Sequence, residues 1–266
     1  MSDNYDRAAK EFLELASHQR LAILFGMLQG PTKISAVSKH LDATIQEVSR
    51  NFERLSKTGL ITKDSDGSYH LSSFGKAVCT QIPSMIFLSQ NKKYFEKHDF
   101  GELPSKFIQR VGALEESKDI KGFVKVQEKL EDIYHNANQY VFSIITEEPT
   151  ELIELAIKKA KQGVLLQNIL SESTILSKER KNILEKNGYR PLTQKGQIQR
   201  KMKKDINVLV VLNEKEGCVI FPTIEGESDM SQMIYGDSPK FHEWCLDYFR
   251  YVWYGSDDYI ESKLKE

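Results

Sequence analysis

The chain has 266 residues, 40% of them hydrophobic, with 37 Lys+Arg against 38 Asp+Glu and a formal net charge of −1. That length supplies a sizeable core and about two domains, and the near-neutral balance excludes a protein that holds a polyanion by bulk charge alone. The start, MSDNYDRAAK, lacks the basic and apolar segments of a secretory leader, and no apolar run reaches membrane-spanning length, so a cytoplasmic protein with no membrane partner is expected.

Local asymmetry is what remains for a nucleic-acid surface. Residues 1–98 carry 13 Lys+Arg against 10 Asp+Glu, whereas residues 99–266 carry 24 against 28. Between Gly30 and Lys63 there are six basic residues and three acidic ones.

In chain order, the first 60 residues read as consecutive helices. Phe12, Leu13, Leu15 and Ala16, then Leu21, Ile23, Leu24, Met27 and Leu28, recur at three- and four-residue spacings that predict buried stripes. GPT at 30–32 breaks the pattern, and a short helix follows with Ile34, Val37 and Leu41. After LDAT comes a second helix, TIQEVSRNFERLSK, with Thr44 as its cap and Glu47 three residues on, a capping box. Beyond Gly59, LITKDSDGSYHLS alternates around Asp66-Gly67, a hairpin signal.

Helices followed by a two-stranded wing give the order of a winged helix-turn-helix. At about 100° per residue, Val48, Phe52 and Leu55 share one side of the capped helix, while Gln46, Arg50 and Lys57 point nearly opposite and Arg54 flanks them. Such an outer stripe can enter a major groove, where Arg reads guanine and Gln reads adenine through paired hydrogen bonds. On this helix alone a solvated face is the commoner account; the surrounding order of elements favours DNA. Asp64 and Asp66 at the wing tip would repel phosphates, which leaves Lys63 and His70 at its base as the wing's candidate contacts.

From Phe74 to His98 a long apolar helical stretch is predicted, kinked or restarted at Pro83, serving either as a packing surface or as a dimer seam. Residues 99–122 read as a connector with one short helix at Ser105–Leu114. Thereafter YVFSIIT, VLLQNIL, INVLVVL, CVIFPTI and MSQMIYG read as strands, and ELIELAIKKAKQG and SKERKNILEKNG as helices. This alternation implies an α/β layer with a mostly parallel core and an antiparallel addition. SPKFHEWCLDYFRYVWYG closes the chain as a helix with Ser238 as cap and Pro239 at its first position. The basic run Arg190, Lys195, Arg200, Lys201, Lys203, Lys204 has three readings, a receiver for an anionic effector, a surface along flanking DNA or a solvated loop, the last being the commoner account, and its effector candidates are Arg190, Arg200 and Lys201.

Cys79, Cys218 and Cys245 form no CxxC pair. His242 and Cys245 could share a helix face, but no third ligand lies nearby, so neither a metal nor a cofactor is expected. The expected fold is α+β to α/β in three parts: a winged helix-turn-helix at 1–73, linking or dimerisation helices at 74–122, and an α/β effector or regulatory domain with a mixed sheet at 123–266.

With both halves in view, the chain resembles archaeal transcriptional regulators of the methanogenesis-regulator type, in which a winged helix of the ArsR/MarR kind is joined to a characteristic middle domain. The resemblance is carried by ISAVSKHLDATIQEVSRNFERLSKTGLI, YHLSSFGKAV, HDFGELPSKFIQRVGAL, INVLVVLNEKEGCVIFP and FHEWCLDYFRYVWYGS. It implies sequence-specific binding of double-stranded operator DNA, usually as a homodimer, with the C-terminal domain sensing a small-molecule effector or assembling. It also places Gln46, Glu47, Arg50, Asn51 and Arg54 at recognition-helix positions.

Sensors of a related archaeal sugar-regulator group resemble the phospholipase D fold, so a half of that kind is a possible architecture here. That family's His-x-Lys pair is absent, as are a Gly-rich phosphate loop and a GxSxG elbow, and the sequence reading is therefore a non-enzyme. A winged helix serving as a protein-interaction module is the alternative function.

Overall fold

The computed structural model describes residues 2–146, 150–174 and 178–260. The chain divides into two compact units, Met1–Pro83 and Ser84–Glu266.

In the first unit, α1 (Ser2–Leu15), α2 (His18–Met27), α3 (Ile34–His40) and α4 (Ile45–Lys57) precede the hairpin β1 (Ile61–Lys63) and β2 (Tyr69–Leu71), and α5 (Ser73–Cys79) follows. Leu24 and Met27 of α2 pack with Val48, Phe52 and Leu55 of α4 and with Ile61 and Leu71 of the hairpin in one apolar cluster. Burying each large side chain of this kind stabilises by roughly 1.5–3 kcal/mol. Phe52 meets Tyr69 edge to face, with ring centroids 4.8 Å apart. Thr32 exchanges backbone hydrogen bonds of 2.9 and 2.8 Å with Tyr69, so the two-stranded wing gains a third partner.

The expected buried stripes of this unit hold only in part. Phe12, Leu13 and Leu28, predicted to be buried, are 66%, 62% and 49% exposed, and Ala16 is exposed too. The side of α1 that faces the unit carries Glu14 instead, with its side chain 14% exposed. Apolar spacing shows that a helix is two-sided but not which side finds a core.

Residues 74–98 do not form one long helix. α5 ends at Cys79, and α6 (Ile82–Gln90) restarts with Pro83 at its second position, where the ring's fixed φ and missing N–H are tolerated. Segment 74–122 is thus shared between the two units.

The second unit continues with α7 (Ser105–Ile108), a 3-10 turn at Val111–Leu114, β3 (Lys118–Lys121), α8 (Phe123–Asn136), β4 (Tyr140–Ile145), α9 (Thr150–Lys161) and β5 (Leu165–Ser171). Then come α10 (Lys178–Lys186), α11 (Tyr189–Gln194), β6 (Ile198–Lys203), β7 (Leu209–Asn213), β8 (Gly217–Ile220), β9 (Gln232–Gly236), α12 (Pro239–Tyr254) and β10 (Asp257–Asp258). The eight strands form one mixed sheet in the order β10-β6-β5-β4-β7-β8-β9-β3. Only β4–β5 and β5–β6 pair in parallel among the described residues, and the other five pairings are antiparallel. The expected mostly parallel core is therefore corrected to a parallel trio within an antiparallel sheet.

Tyr140 and Phe142, two residues apart and so on one face, turn toward α12, where Phe142 stacks on Phe249 at 4.7 Å. On the other face, Leu130 and Tyr134 of α8 line a small apolar cavity together with Ile145, Val211 and Cys218. Trp244 of α12 is fully buried and donates its indole N–H to Phe107 O at 3.1 Å.

Two further segments differ from the sequence reading. Residues 198–203, where a solvated basic loop was one reading, form β6, with Ile198 and Met202 buried and the polar residues between them half-buried. Residues 118–121, read as connector, form edge strand β3 against β9. The reason is shared: a short charged strand is stabilised by its neighbour's backbone, which local composition does not encode. In the helix read at 177–188, Ser177 lies outside the described residues.

Candidate nucleic-acid interface

α4 is seated from both ends. Glu47 N donates to Thr44 Oγ1 at 3.2 Å and Thr44 N donates to Glu47 Oε2 at 3.0 Å, which completes the capping box. Thr44 Oγ1 also donates to Glu47 Oε2 at 2.8 Å, and this bond, with that from Thr44 N, holds the Glu47 carboxyl below its ordinary range. At the other end, Gly59 takes the left-handed conformation, φ +74°, and turns the chain into β1. The turn from α3 to α4 passes through Asp42 at φ 47°, and Ser38 Oγ donates to Ala43 O at 2.6 Å across it.

With the inner stripe buried, Gln46, Glu47, Ser49, Arg50, Glu53, Arg54 and Lys57 are exposed. The sequence-derived candidates on this face are not equivalent. Among the described residues, the side chains of Gln46 and Arg50 form no hydrogen bond or salt bridge, although the Arg50 charge reaches Glu47 one turn back and helps hold its carboxyl down. Arg54, 50% exposed, instead sets its guanidinium fork on Glu14 of α1, with Nε at 2.9 Å and Nη2 at 2.7 Å. This ion pair holds the Glu14 carboxyl down. Asn51 donates to Gln19 Oε1 at 2.7 Å, and Lys57 pairs with Glu53 one turn back at 2.7 Å.

The wing candidates are also engaged. Lys63 Nζ lies 5.5 Å from the centre of the Tyr69 ring. His70 is held between Asp64 Oδ2 at 2.9 Å and Thr62 Oγ1 at 2.8 Å. Asp66 accepts from Ser68 N at 3.0 Å and Ser68 Oγ at 2.6 Å, and these bonds lower its carboxyl's affinity for a proton. Both wing carboxylates thus face their own turn.

Glu14 and Gln19 take part in this surface, and the sequence reading missed them. Each lies at least 32 residues from its partner on α4, so no local spacing could have found them.

The candidate anion site in the second unit is partly dismantled by its own packing. Lys201 Nζ donates to Trp253 O at 3.0 Å and Ser256 O at 3.2 Å, fastening the end of α12 to β6. Arg200 lies over the Tyr189 ring at 4.5 Å, and Arg190, 81% exposed at its side chain, stands 3.6 Å from Glu185. His242 Nε2 sits 2.9 Å from Tyr140 Oη and 3.0 Å from Asn213 O. Cys245 is fully buried, which pushes its thiol far up. No group of three or more His, Cys, Asp or Glu gathers as a metal site, and no helix is long and apolar enough to cross a membrane, among the described residues.

No protein-family model matches the chain, and no curated protein does. Solved structures do. An archaeal chromatin protein, TrmBL2, is 11% identical, with 91% of this chain and 92% of that one covered at a TM-score of 0.43. Nuc, a phospholipase D family member from Salmonella typhimurium, is 12% identical over 50% of this chain and 90% of that one, TM-score 0.37. RosA, a dimethyltransferase from Streptomyces davawensis, is 10% identical over 76% and 65%, TM-score 0.29. The reading as a non-enzyme is corrected on this finding: a phospholipase D family member and several methyltransferases are among the structures similar to this chain.

Proposed function

We propose that the chain is a sequence-specific DNA-binding transcriptional regulator of the winged-helix kind, with α4 as its recognition helix and the second unit as a sensing or assembling domain. The observation that carries this reading is the pair Gln46 and Arg50. Both stand outward with no side-chain hydrogen bond or salt bridge among the described residues, one helical turn apart, on a helix anchored by its cap and by a fully buried apolar stripe. Gln and Arg are the residues whose side chains form paired hydrogen bonds with adenine and guanine edges. Homodimerisation on a palindromic operator, with half-sites about 34 Å apart, belongs to this proposal, as does the likeness to methanogenesis-type regulators.

Selection from a random duplex pool, followed by gel shift at two salt concentrations, tests it. The expected result is a recovered sequence preference and retention that weakens as salt rises. Absence of retention at low salt sinks the reading.

A second reading, a protein-interaction module, is favoured by one observation. Arg54 and Lys57 are paired with Glu14 and Glu53, and Arg50, the cation on α4 without a salt bridge among the described residues, has its charge partly offset by Glu47. The same gel shift separates the two, because a module of that kind retains no DNA.

A further inference from the structure

β6 divides its basic residues between two faces. Ile198, Arg200 and Met202 share one face by strand alternation, and Ile198 and Met202 are buried there, whereas Lys201 turns to the other face and fastens the end of α12. Arg200 is thus carried toward α10 and α11, whose Leu184 and Tyr189 pack around Met202. Its guanidinium lies against two rings, 4.5 Å from the centre of Tyr189 and 5.7 Å from that of Tyr259, the residue after β10.

This stack borders a cleft of about 100 Å³, room for roughly seven to ten water-sized groups. Leu184, buried, supplies an apolar part of the wall, and Lys181, Glu185 and Arg190 complete the lining. The Tyr189 hydroxyl has no hydrogen bond among the described residues.

We propose that the cleft binds a small organic acid, with its carboxylate at Arg200 and its apolar body against Leu184 and the two tyrosines. The lining selects that class. Ring stacking occupies the faces of a guanidinium, so an anion must come to its edge, where the N–H donors match the two oxygens of a carboxylate. Tyr189 adds a hydroxyl donor on the same wall. Glu185, 3.6 Å from Arg190 at the rim, opposes a doubly charged phosphate ester more strongly than a monoanion. An inorganic ion gains nothing from Leu184 and the rings. This inference names what the second unit senses and for that purpose rests on the reading of it as a sensing domain, but occupancy of the cleft requires no DNA.

Isothermal titration calorimetry of the full chain without DNA, with benzoate as the probe, reads the site. Benzoate is of the right size and carries both the carboxylate and the apolar body. Saturable one-to-one binding in about the millimolar range is expected. Benzamide, which has the shape without the charge, and inorganic phosphate, which has the charge without the body, are each expected to bind at least about tenfold more weakly.

Arg200→Lys keeps the charge but loses the fork, and is expected to weaken benzoate binding about tenfold. Because Arg200 is half-buried, two exposed rim positions carry the same test without disturbing the packing. Arg190→Ala is expected to weaken binding about two- to fivefold, and Glu185→Gln to tighten it by a similar factor. A stack that only braces α11 against the sheet predicts no binding for these variants to alter. The proposal is overturned by the absence of saturable benzoate binding up to tens of millimolar, by benzamide or phosphate binding as tightly as benzoate, or by rim variants that both bind as wild type. A failed gel shift would remove the DNA reading and leave the result at this cleft standing.

Discussion

Helices α1 and α4 belong to one small unit and are nearly equal in length, 14 and 13 residues, yet they are turned in opposite senses. α4 sends Val48, Phe52 and Leu55 into the core and leaves its charges outside, whereas α1 sends Glu14 toward the unit and leaves Tyr5 and Phe12 outside. The difference lies in what each helix meets. α4 faces the apolar side of α2 and the hairpin. α1 meets Arg20 and Arg54, and the Glu14 carboxylate lies 3.8 Å from Arg20 Nε and 2.7 Å from Arg54 Nη2, while Arg20 Nη2 also donates to the Leu13 carbonyl, so the end of α1 is fixed to the unit by polar contacts.

The sharpest break in this comparison is at the two phenylalanines. Phe52→Ala should lower the free energy of unfolding by about 3–5 kcal/mol. Phe12→Ala should change the monomer's stability by less than about 0.5 kcal/mol. Urea titrations followed by far-ultraviolet circular dichroism measure both, and equal losses would mean that α1 buries its stripe as α4 does.

Next in size is the outer face of α4. Arg50→Ala should weaken binding to a selected operator by about 1–3 kcal/mol and relax base preference at one position. Unchanged affinity in a fluorescence-anisotropy titration would remove Arg50 from the contact set. Thr44→Ala, which removes the cap, should cost about 1 kcal/mol of stability, read in the same urea titration.

The smallest effect tests the link between the helices. Glu14→Gln removes the acid that holds Arg54 and should change stability by less than about 1 kcal/mol, since the pair is half exposed. If the released guanidinium then reaches a phosphate, the plot of log affinity against log salt should steepen by about 0.9. An unaltered slope would mean that Arg54 stays out of reach of the backbone.

The same pair gives an acid limb. Its guanidinium partner holds the Glu14 carboxyl below the ordinary value, so the contribution is complete above about pH 4.3, the unfolded carboxyl's range, and is lost as pH falls through the depressed folded value. The stability difference between wild type and Glu14→Gln should therefore shrink below about pH 4. A difference that grows on acidification would show the sign to be wrong.

Several features of both units were legible in the order of residues because their signals are local. The Thr44–Glu47 box, the Asp66-Gly67 turn and the Ser238-Pro239 start of α12 each act within a few residues, through one hydrogen bond or one preferred φ, and each is found where the sequence predicts it. The buried stripe of α4 was equally clear, because 3.6-residue periodicity is a property of the segment itself. β6 and β3 were not legible. Lys-rich and Asp-bearing segments become strands only because β5 and β9 offer them backbone partners.

The functional face divides along the same line. The sequence by itself determined that α4 would be two-sided, where it would start and end, and which polar side chains would share its outer face, because these follow from helix geometry and capping alone. Only the tertiary structure decided which of those side chains remain unengaged. Arg54 is held by a residue 40 positions away and Asn51 by one 32 positions away. Such pairings depend on how separate helices come to rest against one another, and that is settled by packing shape and the satisfaction of buried charge rather than by spacing along the chain.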